Sequence, residues 1–188
     1  MTRRKTIVEM KIEDLPYPNK GFGIVDGKKI FVKGGVPGQK VKVLIKKRRA
    51  NYCEGKILEV LENSPIEKET SCVHFGKCGG CTYQAIPYEK QLEMKVMQVK
   101  NLFEDEGIEG YEFLGIEKSP QIYEYRNKME FTFGDEGKDK SLSLGLHKRG
   151  KFYEVVNVQG CNIVDEDFSK VLATVLNCFI DMDISYYN

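Results

Sequence analysis

The chain has 188 residues, 41% hydrophobic and 30% charged, with six cysteines and a net charge of +1. That is the make-up of a soluble globular protein with one large domain or two small ones. Its apolar runs are too short to cross a bilayer, and the basic start MTRRKTIVEM lacks the apolar stretch of a signal peptide, so a cytoplasmic, membrane-free monomer is the expectation.

The near-neutral total conceals a split. Residues 1–65 carry 15 basic against 7 acidic side chains, a net of +8, and the remainder is −7. A basic first part is suited to a polyanion such as nucleic acid. Along it, KTIVEMKI, FGIV, KIFVK, VKVLIKKRR and YCEGKILEVLE read as five short strands. Asp26-Gly27 is a tight hairpin turn between the second and third. Val41, Val43 and Ile45 alternate onto one face of the fourth. Five such strands in some sixty residues predict an OB-like β-barrel, ended by Asn63-Ser64-Pro65. Gly21-Phe22-Gly23 sits inside this pattern and reads as a bend in a strand, not a phosphate loop.

The next segment, CVHFGKCGGC, places Cys72, Cys78 and Cys81 in a C-x5-C-x2-C spacing among Gly76, Gly79 and Gly80. In a reducing compartment clustered thiols serve metals or redox chemistry. Polarisable thiolates suit zinc and iron–sulfur centres, and the glycines let the backbone wrap tightly. A metal site needs a fourth ligand. Cys161, in the turn Gln159-Gly160-Cys161-Asn162, is one candidate and His74 is the competitor. Cys53 and Cys178 read as small buried hydrophobes. Spacing alone leaves zinc and iron open.

Pro87 opens a helix that Gly107 closes, with Leu92, Val96, Val99 and Phe103 on one stripe and Met94 and Met97 widening it. YEYRNKMEFTFGD, SLSLGLHKRG and KFYEVVNVQGC then read as antiparallel strands. Arg126 and Lys128, two positions apart in the first, share a face and are candidate RNA contacts. Asp165 caps a last helix whose apolar face runs from Phe168 to Phe179. The fold class is α+β, in three parts: 1–65 the barrel, 66–110 the cysteine loop and helix, 111–188 the antiparallel section and helix.

The segment C-x5-C-x2-C with Gly79-Gly80, followed by TYQAIPYEKQLEMKVMQVKNLF, resembles the cluster region of the RumA-type RNA uracil-5-methyltransferases. EYRNKMEFTFG is similar to that family's Tyr-Arg-Asn-Lys motif, and Cys161 in VQGC matches its distant cysteine ligand. Residues 1–65 resemble a TRAM domain. The resemblance implies a [4Fe-4S] cluster on Cys72, Cys78, Cys81 and Cys161. It implies 23S rRNA as partner. The basic run Lys46, Lys47, Arg48 and Arg49 at a hairpin end would contact phosphates. Phe22, Phe31 and Tyr52 would add stacking.

Family members continue into a domain that binds S-adenosylmethionine, and no Gly-rich loop or nucleophile motif for it occurs here. The chain is thus expected to be the N-terminal portion of such an enzyme, inactive by itself. The competing readings are a stand-alone zinc-stabilised RNA-binding module, the transfer RNA branch of the same chemistry, and an electron-transfer protein.

Overall fold

The computed structural model describes residues 6–137 and 141–186. The chain divides into two compact units, one made of residues 1–68 and 86–117, the other of 69–85 and 118–188. The architecture is α+β, as the sequence predicts.

In the first unit five strands, β1 (Ile7–Lys11), β2 (Lys20–Val25), β3 (Lys28–Lys33), β4 (Lys40–Arg48) and β5 (Tyr52–Glu62), form one sheet in the order β1-β4-β5-β3-β2. All neighbours are antiparallel except β3 and β5. The β2–β3 turn is Asp26-Gly27, with φ of 49° and 73°. Two positive φ values in a row give the twist that antiparallel partners need. The outermost strands also meet. Just beyond β1, the Glu13 N–H donates to the Phe22 carbonyl at 2.8 Å, and the Phe22 N–H to the Asp14 carbonyl at 3.1 Å. Gly23 permits that crossing, because a Cβ there would lie 2.2 Å from the Lys11 carbonyl oxygen. Inward positions Met10, Ile12, Ile30, Val32, Val41, Val43 and Cys53 make the core.

Helix α1 (Tyr88–Asp105) completes this unit, entered at Pro87 and left before Gly107 at φ 65°. Its Gln98 amide donates to the Leu15 carbonyl at 2.6 Å. Of the expected stripe, Leu92 is buried and Val96 and Phe103 are half-buried, whereas Val99 and Met97 are exposed.

The second unit carries a three-stranded antiparallel sheet, β6 (Thr132–Asp135), β7 (Leu142–Lys148) and β8 (Lys151–Asn157), in that order. Helix α2 (Glu166–Asp181) packs Leu172 and Leu176 with Leu144 of the central strand. The Asp165 carboxylate accepts from the Asp167 N–H at 2.9 Å, the expected cap. Two expectations are corrected. The strand read from Tyr123 begins only at Thr132, because the N–H groups of Glu124 and Arg126 donate to the carbonyls of Asn162 and Ile163 and so leave no ladder partner. Cys178 is exposed, not buried.

Ile12 is fully buried in the first core. Ile12→Ala is expected to cost about 2–5 kcal/mol in chemical denaturation, against about 0.5 kcal/mol or less for the half-exposed Ile24→Ala.

Candidate metal centre and nucleic-acid surfaces

The second unit gathers the four cysteines read from the sequence. Cys72, Cys78, Cys81 and Cys161 all line one small, mainly apolar cavity, together with His74, Phe75, Gly80, Leu146, Val158, Asn162 and Ile163. Three come from the loop before α1 and one from the turn between β8 and α2. All four are half-buried free thiols.

The loop has no regular structure of its own and is held by polar ties. Cys78 bridges Lys148 at the end of β7. The Gly79 N–H donates to the His147 carbonyl at 2.9 Å, and the Arg149 N–H donates to the Lys77 carbonyl at 2.7 Å. The Arg149 guanidinium also donates to the Cys81 carbonyl. This approach requires glycine at position 79, since a Cβ there would stand 2.9 Å from the His147 oxygen.

On the other side, His74 Nε2 lies 2.9 Å from the Gln159 carbonyl and 3.1 Å from the Gln159 N. Asn162 Nδ2 donates to Ser71 Oγ at 2.9 Å, and Gln84 Nε2 donates to Asn162 Oδ1 at 2.5 Å. His74, the competing fourth ligand, fastens the loop through Nε2 to the turn that carries Cys161. The sequence signal for Asn162 and Gln84 was weak: each only neighbours the elements it ties.

The thiols feel one another electrostatically. Burial pushes the Cys78 thiol up from its ordinary value, and Cys161 and Cys72 add to the rise. Burial does the same at Cys81, with Cys161, Cys78 and Cys72 contributing. The Gly80 N–H points at Cys78 Sγ at 3.3 Å and acts the other way, favouring a thiolate. Among the described residues no three His, Cys, Asp or Glu side chains are drawn together as a single ion would require. The four cysteines share the lining of this one cavity.

Arg126 and Lys128 lie on irregular backbone and line an open depression with Gly80, Met129, Glu130, Leu146 and Ile163. Lys128 pairs with Glu130 at 2.8 Å, both well exposed, and Arg126 Nε donates to the Lys128 carbonyl at 3.3 Å. In the first unit, Lys46, Lys47, Arg48 and Arg49 all stand exposed at the end of β4. Lys47 approaches Glu54 at 3.6 Å, and Arg48 donates to Thr6 Oγ1 at 2.9 Å. The outward face of β2, β3 and β5 carries an aromatic row. Phe22 and Phe31 lie 5.7 Å apart, Phe31 and Tyr52 5.6 Å, and Lys29 sits 5.1 Å over the Phe22 ring. All three rings are half-exposed, on the face opposite the core residues Ile30 and Val32.

A basic β-sheet unit with a half-exposed aromatic row is the build of an oligonucleotide-binding domain, and residues 2–58 match the TRAM domain family. Over nearly its whole length the chain is similar to proteins named as RNA methyltransferases. It is 50% identical to an uncharacterized RNA methyltransferase of Caldanaerobacter subterraneus across 97% of this chain and 40% of the relative. It is 46% identical to one of Clostridium acetobutylicum across 100% of this chain and 41% of the relative. The chain thus spans about two-fifths of the length of the curated relatives it matches. In fold it is similar to the crystal structure of Pyrococcus abyssi tRNA (uracil-54, C5)-methyltransferase in complex with S-adenosyl-L-homocysteine, with a TM-score of 0.61 at 22% identity over 96% of this chain and 38% of that one. The chain carries a TRAM domain and, as the resemblance in its sequence implies, is similar over nearly its whole length to proteins named as RNA methyltransferases.

At the end of β7, Lys148 and Lys151 both bond to Glu154, Lys148 at 2.8 Å. The bond from Lys148, then that from Lys151, holds the Glu154 carboxyl below the usual carboxylate range. A group whose value is lowered by folding stabilises above its unfolded value and loses that effect as pH falls through the folded one. Glu154→Gln is therefore expected to lower Tm at neutral pH and to leave it unchanged once pH lies below the folded value. A Tm-against-pH series checks this.

Proposed function

We propose that this chain is the RNA-binding, [4Fe-4S]-bearing part of an S-adenosylmethionine-dependent RNA uracil-5-methyltransferase acting on 23S rRNA. The observation that carries the reading is the convergence of Cys72, Cys78, Cys81 and Cys161 on one cavity, in a chain 50% identical to a protein named as an RNA methyltransferase.

The donor set fits the cluster. Four thiolates are the usual ligands of a cubane, and the resemblance of the C-x5-C-x2-C segment to the cluster region of the uracil-5-methyltransferases favours that group over one zinc ion. Bound there, the cluster would supply a covalent clasp between the loop and the β8–α2 turn. The protein's own residues do the remaining holding: His74, Ser71 and Gln84 fasten the loop to that turn, and the Gly80 N–H favours the charged form of Cys78.

RNA is met first by charge. Lys46, Lys47, Arg48 and Arg49 contact phosphates, which gives affinity without sequence choice. The row Phe22, Phe31 and Tyr52 offers ring faces to unpaired bases. In the second unit, Arg126 and Lys128 line the depression that shares Gly80, Leu146 and Ile163 with the cysteine cavity, and these cations meet RNA there. On this reading these 188 residues contribute RNA binding and the cluster. Cytoplasmic residence and a monomeric state belong to the same reading. Among the described residues no helix is long and apolar enough to cross a membrane.

Cys161→Ser tests the cluster assignment. Iron content should fall and the fold should lose stability, whereas Cys178→Ser on the exposed face of α2 should keep its iron. Full iron in Cys161→Ser would remove that residue from the ligand set. For RNA, replacing Lys46, Lys47, Arg48 and Arg49 with Ala should weaken binding about equally across sequences. The salt dependence should drop by about 0.7 in log–log slope for each single-strand phosphate left without its cation, and weakening confined to one sequence would contradict a phosphate role.

A further inference from the structure

The hairpin joining β7 and β8 ends in aromatic side chains that none of the roles above uses. Phe152 is 71% exposed and its neighbour Tyr153 91% exposed. Consecutive residues of a regular strand point to opposite faces, so one ring of such a pair should be covered. The register shifts between His147 and Lys148, and an irregularity of this kind twists and redirects a strand end. Both rings are left in water.

The rings are also ordered. His147 stacks on Phe152 with centroids 4.5 Å apart and planes 16° off parallel, and Tyr153 meets Phe152 edge-on at 5.8 Å. The stretch from His147 to Glu154 contains three cations, Lys148, Arg149 and Lys151, and one acid, Glu154. Glu154 holds the two lysines by ion pairs. Arg149 is fixed by the Cys81 carbonyl and lies 5.9 Å over the Phe75 ring. The tip is thus a short aromatic step with a net positive rim, its backbone fastened through His147 and Arg149 to the cysteine loop.

We propose that this hairpin tip is a base-stacking platform for single-stranded RNA. An unpaired base lies on the open ring of Tyr153 or extends the His147–Phe152 stack, and the adjoining phosphates pass the basic rim. An apolar protein surface would fit the rings but not the surplus of positive charge, whereas a single strand supplies π-faces and negative charge together. Since every base has a ring face, the platform is tolerant of sequence. Rings already held in place lose little freedom on binding. The inference rests on the RNA-binding reading and assigns it a second contact, in the second unit.

The test uses the full 188-residue chain and a short single-stranded RNA carrying one 2-aminopurine, beside a duplex of the same sequence. Tyr153→Ala removes an exposed ring and leaves no cavity. It is expected to weaken single-strand binding at least about fivefold and to relieve part of the 2-aminopurine quenching, with duplex affinity unchanged. Tyr153→Phe keeps the ring and should bind as wild type. Unchanged single-strand affinity in both Tyr153→Ala and Phe152→Ala would overturn the platform. So would equal weakening on single strand and duplex, or a change of sedimenting mass in Tyr153→Ala that assigns the rings to an interface between copies. If the unaltered chain binds no RNA, the broader reading fails as well. If it binds and only the Lys46–Arg49 changes weaken it, that reading stands and the platform falls.

Discussion

The second unit depends on how a loop without secondary structure is fastened. Between Glu69 and Ala85 the chain buries little apolar surface: only Ala85 among these residues belongs to the core. Hydrophobic burial therefore cannot define its path. Backbone bonds to the end of β7, at His147 and Arg149, fix one side, and His74, Ser71 and Gln84 fix the other through Gln159 and Asn162. Each such bond contributes only about 1 kcal/mol net, so a set this small gives a marginal hold. The four thiols sit between these two fastenings, where a bound cluster would join them covalently. A metal used this way does the work of a missing core.

The two units divide the chemistry of binding. The first concentrates charge and presents its aromatic row on the outward face, because alternation along β2 and β3 sends Gly21, Gly23, Ile30 and Val32 inward and Phe22 and Phe31 outward. The second carries its charges on irregular backbone and on a hairpin end, where partners already neutralise some of them. Lys128 has Glu130, and Lys148 and Lys151 share Glu154. Long-range attraction thus belongs to the first unit, and contact by shape and stacking to the second.

Most of the first unit was legible in the sequence. Alternating Val41 and Val43, and Asp26-Gly27 with its demand for positive φ, encode strands and turn in adjacent residues. Local pattern failed where distant partners decide. Residues 125–131 alternate like a strand, yet Arg126 gives its N–H to Ile163 and the ladder starts at Thr132. Cys178, Met97 and Val99 are apolar residues at helical spacing, and composition does not say that their faces are left uncovered. The three clustered cysteines announced themselves by spacing, and the fourth, 80 positions on, by its context. His74 was visible as a candidate ligand, but its bond to Gln159 depends on a separation of 85 residues that no local rule reaches. The consecutive exposure of Phe152 and Tyr153 was equally hidden, since it follows from a register shift at the hairpin end.

The reading of the second unit turns on whether its four cysteines hold an iron–sulfur cluster. Its most direct test is the visible absorption of anaerobically purified protein, with iron, sulfide and zinc measured on the same sample. The expected result is a brown protein with about four irons and four sulfides per chain, as a [4Fe-4S] cluster requires. A colourless protein carrying about one zinc would contradict it and leave a zinc-stabilised RNA-binding module in its place.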